Sequence, residues 1–437
     1  MALSSFDEAA GRRAWYVVAI CMLAYILSFI DRQILALLIG PIKADLKITD
    51  TQFGLLHGLA FSIFYATLGI PVAGLADRKS RPLVISVGIA VWSVATVLCG
   101  VTRSFGQLFL ARIFVGAGEA ALSPAAYSLI SDLFPRERLG RAMAVYSIGS
   151  FLGAGIAFLV GGSIIALVGG EQLTTFAGLN LRPWQIVFLI VGAPGVLLAL
   201  ILWLTVKEPY PSGKRPNVDS PSFGAVLAYL GKHRAIFAPH IIGYTFAAMA
   251  LFAVLGWSPA YLMRTFGLTP ATSGVWLGVI AIVAGGGGVM ASGWLMDWMT
   301  RNGHSDAPFR TGIVGATGAV IPAILLPMAP TLPIGAALLA VTLFFASFPM
   351  PPSTAVMQIA APQRMRSRVS ALFLCSNSLI GLTVGSLLVG FLNDRFFPTA
   401  AGVGVSLGLV TAFASLLAAI ILSLGCRPFR TLVDQQV

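Results

Sequence analysis

The chain has 437 residues, of which 57% are hydrophobic and only 10% charged, whereas ordinary soluble domains carry about 25% charged residues. Its formal net charge of +12 would suit nucleic acid, but the charges are distributed as membrane topology dictates, which excludes that reading. Four cysteines, Cys21, Cys99, Cys375 and Cys426, show neither metal-ligand spacing nor the density of a disulfide scaffold, and they read as packing residues.

Apolar runs long enough to cross a hydrocarbon core, about 20 helical residues, recur at 14–39, 52–74, 82–101, 105–130, 140–168, 184–206, 236–263, 273–298, 311–328, 332–360, 367–392 and 403–424. Barrel strands would show about ten residues of alternating character; these runs are longer and apolar on all sides, so twelve transmembrane helices are expected. The first run holds Asp31 and Arg32 and no small-residue cleavage pattern follows it, so it reads as a retained helix and not a signal peptide. The second holds His57, either a structural histidine or a group that titrates near neutrality. The fourth holds Arg112 and Glu119, seven residues and nearly two helical turns apart, hence on one face. Ionised groups at mid-bilayer cost about 2.5–3.5 kcal/mol each on insertion scales and persist where partners or a watery cavity receive them.

Between the sixth and seventh runs lies the longest polar segment, 207–234, rich in Pro, Ser, Gly and charge, which reads as a linker. It divides an N-terminal six-helix bundle (1–206) from a C-terminal one (235–437). The halves echo each other. Ala73-Gly74-Leu75-Ala76-Asp77 after the second run returns as Gly293-Trp294-Leu295-Met296-Asp297 after the eighth, and Pro135-Arg136-Glu137-Arg138 before the fifth returns as Pro362-Gln363-Arg364-Met365 before the eleventh. Such duplication places a binding site near mid-membrane between two pseudo-symmetric bundles that rock against each other. Assigning both termini and every second loop to one side puts 20 of the 28 Lys and Arg there, which makes that side cytoplasmic. Short outer loops and the absence of an Asn-x-Ser/Thr acceptor fit a bacterial inner membrane.

Gly74-Leu75-Ala76-Asp77-Arg78-Lys79-Ser80-Arg81 resembles the signature between helices 2 and 3 of the major facilitator superfamily, with Ala73 and Ser80 standing where glycine is usual. Phe29-Ile30-Asp31-Arg32 and the segment from Arg112 through Gly116 and Gly118 to Glu119-Ala120 resemble the spinster lipid transporters within it, and related organic-anion symporters share part of that pattern. The resemblance implies that the first and fourth helices line a central cavity, where Arg32 would meet Glu119. It also implies that Asp77 faces the start of the eleventh helix, near Arg366 to Val369, as a gate latch. Burial favours the neutral carboxyl and a neighbouring guanidinium the charged one, so wetting of the cavity would move Glu119, or secondarily Asp31, between charge states. Proton coupling is therefore assigned to Glu119 and Asp31, and attraction of an anionic headgroup to Arg32 and Arg112. The rival reading is a fixed salt-bridge network that braces the helices.

The second half carries no charge deep in a run. Its expected cavity residues are Tyr244, Phe252, Trp257, Phe348 and Asn377, although membrane aromatics also serve packing. Gating is assigned to Asp77, Arg78, Arg81, Asp297 and Arg368. A cavity charged on one wall and apolar on the other suits an amphipathic solute, lysolipid or sphingolipid-like. Without a phosphate loop or a nucleophile motif, the chain is expected to be no enzyme and to need no cofactor or metal. It is expected to work as a monomeric, proton-coupled secondary transporter among membrane lipids. An organic-anion symporter, a multidrug transporter and a non-transporting receptor remain as alternatives.

Overall fold

The computed structural model describes residues 2–134, 136–168, 174–176, 179–209, 222–362 and 364–435. In chain order the elements are α1 (Ala2–Leu37), α2 (Ile39–Leu46), α3 (Asp50–His57), α4 (Leu59–Arg78), α5 (Arg81–Cys99), α6 (Phe105–Glu119), α7 (Leu122–Leu133), α8 (Arg136–Val168), the antiparallel pair β1 (Thr174–Phe176) and β2 (Leu179–Leu181), α9 (Pro183–Thr205) and α10 (Phe223–Lys232). There follow α11 (Arg234–Phe266), α12 (Pro270–Ile280), α13 (Gly286–Arg301), α14 (Ala307–Leu325), α15 (Leu332–Ser347), α16 (Met350–Ala360), α17 (Arg366–Ser376), α18 (Thr383–Arg395) and α19 (Gly402–Asp434). Eleven helical stretches among the described residues are long and apolar enough to cross a membrane. The remaining expected crossing, 52–74, runs through α3 and α4.

Local chemistry sets the boundaries. Thr49 and Gln52 form a reciprocal capping box at α3, and Ser104, Ser222 and Thr269 each accept a backbone N–H of the helix they open, satisfying donors that have no intrahelical partner. Proline stands in the first turn of α5, α9, α12, α14 and α15, where its missing N–H costs nothing.

Several crossings expected as continuous are interrupted. The second breaks at Gly58 and the fourth at Ala120–Ala121. The tenth breaks around Pro349, where consecutive prolines remove backbone donors. α12 passes into α13 through a π-helical turn at Ala281–Gly285, and α17 into α18 through another at Asn377–Leu382. The linker is not wholly irregular either, because α10 occupies its end; residues 210–221 lie outside the described ones.

At the face opposite the chain ends the two sets of six crossings close on each other. A Cβ on Gly54 would stand 2.8 Å from the Ser386 carbonyl oxygen, and one on Gly390 would stand 2.3 Å from that of Asp50, so α3 and α18 meet backbone to backbone only because both positions lack side chains. Along α8, Gly162 meets Ala271 and Gly155 meets Gly278. Beyond Gly285 little contact with α13 remains, so this seam loosens toward the face that bears the chain ends.

Candidate functional site

Asp31, Arg32, Arg112 and Glu119 converge from α1 and α6, all of them buried. Arg32 Nη2 donates to Glu119 Oε2 at 2.6 Å, and Ser28 Oγ donates to the same oxygen at 2.5 Å. The expected pairing of Arg32 with Glu119 is thus present as a direct ion pair, with 7% of the Arg32 side chain exposed and none of Glu119. The guanidinium lies 4.2 Å from the Phe61 ring centroid, 4.8 Å from that of Phe29 and 5.4 Å from that of Tyr65, a setting that suits the weakly hydrated, planar arginine cation. Arg112 sits behind it, wholly buried; its Nη1 donates to the Asp31 carbonyl oxygen at 3.0 Å. Thr96 donates to the Asp31 carboxylate at 3.1 Å. Among the described residues Glu119 Oε1, Asp31 Oδ1 and Arg112 Nη2 are buried without a hydrogen-bond partner. The network is under-satisfied, and burying such groups is costly.

Sequence reasoning missed the tyrosines around this cluster. Tyr25 stacks on Tyr146 at 4.7 Å, and Tyr127 meets the edge of Tyr146 at 5.4 Å. Tyr127 is 38% exposed. One signal was available: Tyr25, Phe29 and Arg32 follow at i, i+4 and i+7, one face of a helix.

The second half contains a cleft lined by Tyr244, Leu251, Phe252, Met350, Phe373 and Asn377 among others. Three expected binding residues therefore border open space. Tyr244 presents only its ring, because its hydroxyl donates to the Pro308 carbonyl. The other two lie elsewhere. Trp257 is buried in the seal between the halves, with its ring N–H on the Ser386 carbonyl and Phe53 at its edge, and Phe348 is buried among Phe344 and Phe345. Apolar membrane helices carry no polarity contrast that tells a cavity face from a packing face, which is why the sequence grouped all five. His57, also in the seal, abuts Gly256.

The gating set is dispersed. Arg81 is a buried hub that pairs with Asp132 and with Glu208 at the start of the connector and donates to the Ser128 carbonyl. Asp297 is exposed, and its backbone carbonyl accepts from Arg301. Arg368 lies in the first turn of α17, which packs on α4; the side chains of Asp77 and Arg78 lie outside the described ones.

A latch that the sequence did not reveal closes the opposite face. The Asp50 carboxylate receives Arg264 through two nitrogens, at 2.5 and 2.8 Å, Asn393 at 3.1 Å, and Lys43. Asp394 accepts the backbone N–H groups of Asp50 and Thr51 at 3.0 and 2.7 Å, capping α3 from the other half. Burial pushes the Asp50 carboxyl up, but the hydrogen bonds and charges of Arg264 and Lys43 outweigh it and hold the group below the usual carboxylate range. Deeper in the seam, Ser62 and Thr383 share a hydrogen bond of 2.6 Å.

A many-helix membrane bundle with one charged wall, one apolar cleft and a seam closed at one face defines a secondary transporter. The chain belongs to the Major Facilitator Superfamily, whose profile matches residues 21–385. An MFS-type efflux pump of Mycolicibacterium smegmatis is 31% identical over 432 residues, 97% of this chain and 95% of that protein. Protein spinster of Drosophila melanogaster is 25% identical over 330 residues, 73% of this chain and 51% of that one. The crystal structure of a bacterial homologue of the human lysosomal transporter Spinster, inward-facing and unoccupied, superposes with a TM-score of 0.78 at 26% identity, covering 97% of each chain. A D-xylose–proton symporter, 15% identical with a TM-score of 0.67, shares the fold.

Proposed function

We propose that the protein couples proton movement to transport of an amphipathic anionic or zwitterionic solute, with Glu119 as the proton site and Arg32 as the headgroup receptor. The observation that carries this is the single guanidinium held by the single carboxylate at 2.6 Å. An anionic headgroup and ionised Glu119 compete for the same cation, and protonation of Glu119 releases Arg32 to the solute. Asp31 and Arg112 support the pair from behind. The tail extends toward Tyr244, Phe252 and Asn377 across the cleft. The two halves, 1–206 and 235–437, rock about this site with 207–234 as connector. The gate at the face bearing the chain ends involves Asp77, Arg78, Asp297 and Arg368, and the positive-inside pattern makes that face cytoplasmic. The resemblance of the Phe29–Arg32 and Arg112–Ala120 segments to the spinster lipid transporters supports a lysolipid or sphingolipid-like cargo.

The full-length similarity to an efflux pump favours a second reading, export of amphipathic drugs. Proteoliposome flux of a panel of lysolipids, organic acids and cationic drugs, with and without an imposed pH gradient, tests both. Gradient-driven lysolipid flux is expected. Flux of cationic drugs alone selects the second reading, and no flux of any class rejects transport of amphipaths.

A further inference from the structure

The connector expected to be plain polar chain contains a helix that the transport cycle above does not use. α10 is opened by Ser222, ends at His233 and adjoins α11 there. On its inner side Val226 is fully buried, and Tyr229 and Leu230 pack with Ile236 and Phe237; the Tyr229 hydroxyl donates to the Ala360 carbonyl at 2.8 Å. This seat fastens α10 across the ends of α11, α16 and α17. Beside it Phe223 and Leu227, one turn apart, stand 42% and 49% exposed. The remaining surface is small, Gly224, Ala228 and Gly231, and leads to exposed Lys232 and Arg234, with exposed Arg364 on the loop after α16. Residues 222–264 contain no Asp or Glu.

An apolar strip with small residues and cations at its margin is the pattern of a helix lying in a membrane interface. The strip adjoins α11, which is long and apolar enough to cross a membrane and on which Ile242 is also exposed, and the flanking charge is wholly positive. We propose that α10 lies in the headgroup layer at the face bearing the chain ends and binds anionic phospholipid, with Phe223 and Leu227 at the acyl boundary and Lys232, Arg234 and Arg364 toward the phosphates. Each cation near an anionic surface strengthens binding about fivefold, and the seat on Ala360 passes the position of α10 to the α16–α17 loop.

The test uses the full chain with Cys375 and Cys426 replaced by alanine and Leu227→Cys carrying a nitroxide. It is reconstituted in phosphatidylcholine alone and in an equal mixture with phosphatidylglycerol. The expected result is a label reached by oxygen more than by an aqueous nickel complex, deeper in the mixture, with the difference abolished by K232Q/R234Q. A label equally open to the nickel complex in both bilayers overturns the proposal, as does a depth indifferent to phosphatidylglycerol. Protection that scales with protein-to-lipid ratio assigns the strip to a second copy of the chain and also overturns it.

Discussion

At the level of single residues, the chemistry turns on how a dry bundle tolerates Arg32 and Glu119. Removing one member of a buried pair leaves the other uncompensated, at a cost of about 3–5 kcal/mol. Arg32→Ala is therefore expected to lower the thermal midpoint, and Arg32→Lys, which keeps a cation facing Glu119, is expected to lose less. Melting curves of the two purified variants beside the parent chain check the order. Glu119→Gln keeps the shape but cannot exchange a proton. Uptake is expected to lose its response to an imposed pH gradient while exchange of internal for external solute persists; a response equal to that of the parent chain removes Glu119 from the coupling role. The Arg32–Glu119 pairing was legible through the family resemblance, which implied that the first and fourth helices face one cavity. Asp50 was not: its main partners, Arg264 and Asn393, lie 214 and 343 residues away, so in sequence it is an ordinary polar residue at a helix start.

Helices and their seams carry the next set of expectations. A carboxyl held below its ordinary value of 3.8 in the closed latch stabilises closure fully above that value, and the contribution is lost as pH falls through the lowered one. The closed population, read from spin-label distances across the α3–α18 seam, is thus expected to stay flat from pH 8 to about 5 and to fall only below about 4. Arg264→Ala is expected to reduce that population at every pH in this range. On the α8–α12 seam, a side chain at Gly278 would place its Cβ 2.4 Å from Leu159 Cγ and 3.0 Å from the Gly155 carbonyl. Gly278→Val is expected to wedge the seam open at a cost of about 1–3 kcal/mol, shifting the same distances outward and slowing turnover. The sequence showed that crossings exist, because twenty apolar residues have one reading in lipid. It hid where they break: the interruption near Pro349 follows from proline chemistry, whereas those at Gly58 and Ala120 depend on neighbours that only the assembled bundle supplies.

Taken whole, the molecule spreads its polarity unevenly. The first six crossings hold the charged cluster and the Arg81 hub, and the last six hold the aromatic cleft, so a solute spanning both feels a cation at one end and ring faces at the other. Repeats in the sequence foretold two similar halves, and the confinement of intramembrane charge to the first half foretold this division of labour; what diverged after duplication is the lining and not the scaffold. The sorting of Tyr244, Phe252 and Asn377 to the cleft and of Trp257 and Phe348 to packing needed the tertiary arrangement.

The π-helical turn at Asn377–Leu382 lies between the cleft and the latch, and such a turn holds one residue more than an α-turn. Annealing it to regular helix would swivel everything on one side by about 100°, the angle one residue subtends in an α-helix. With the far end of α18 moored through Asp394 to α3, the swivel would fall on α17. It would carry Asn377 and Phe373 around the helix axis, so this wall of the cleft can be re-tiled while the outer seam stays shut.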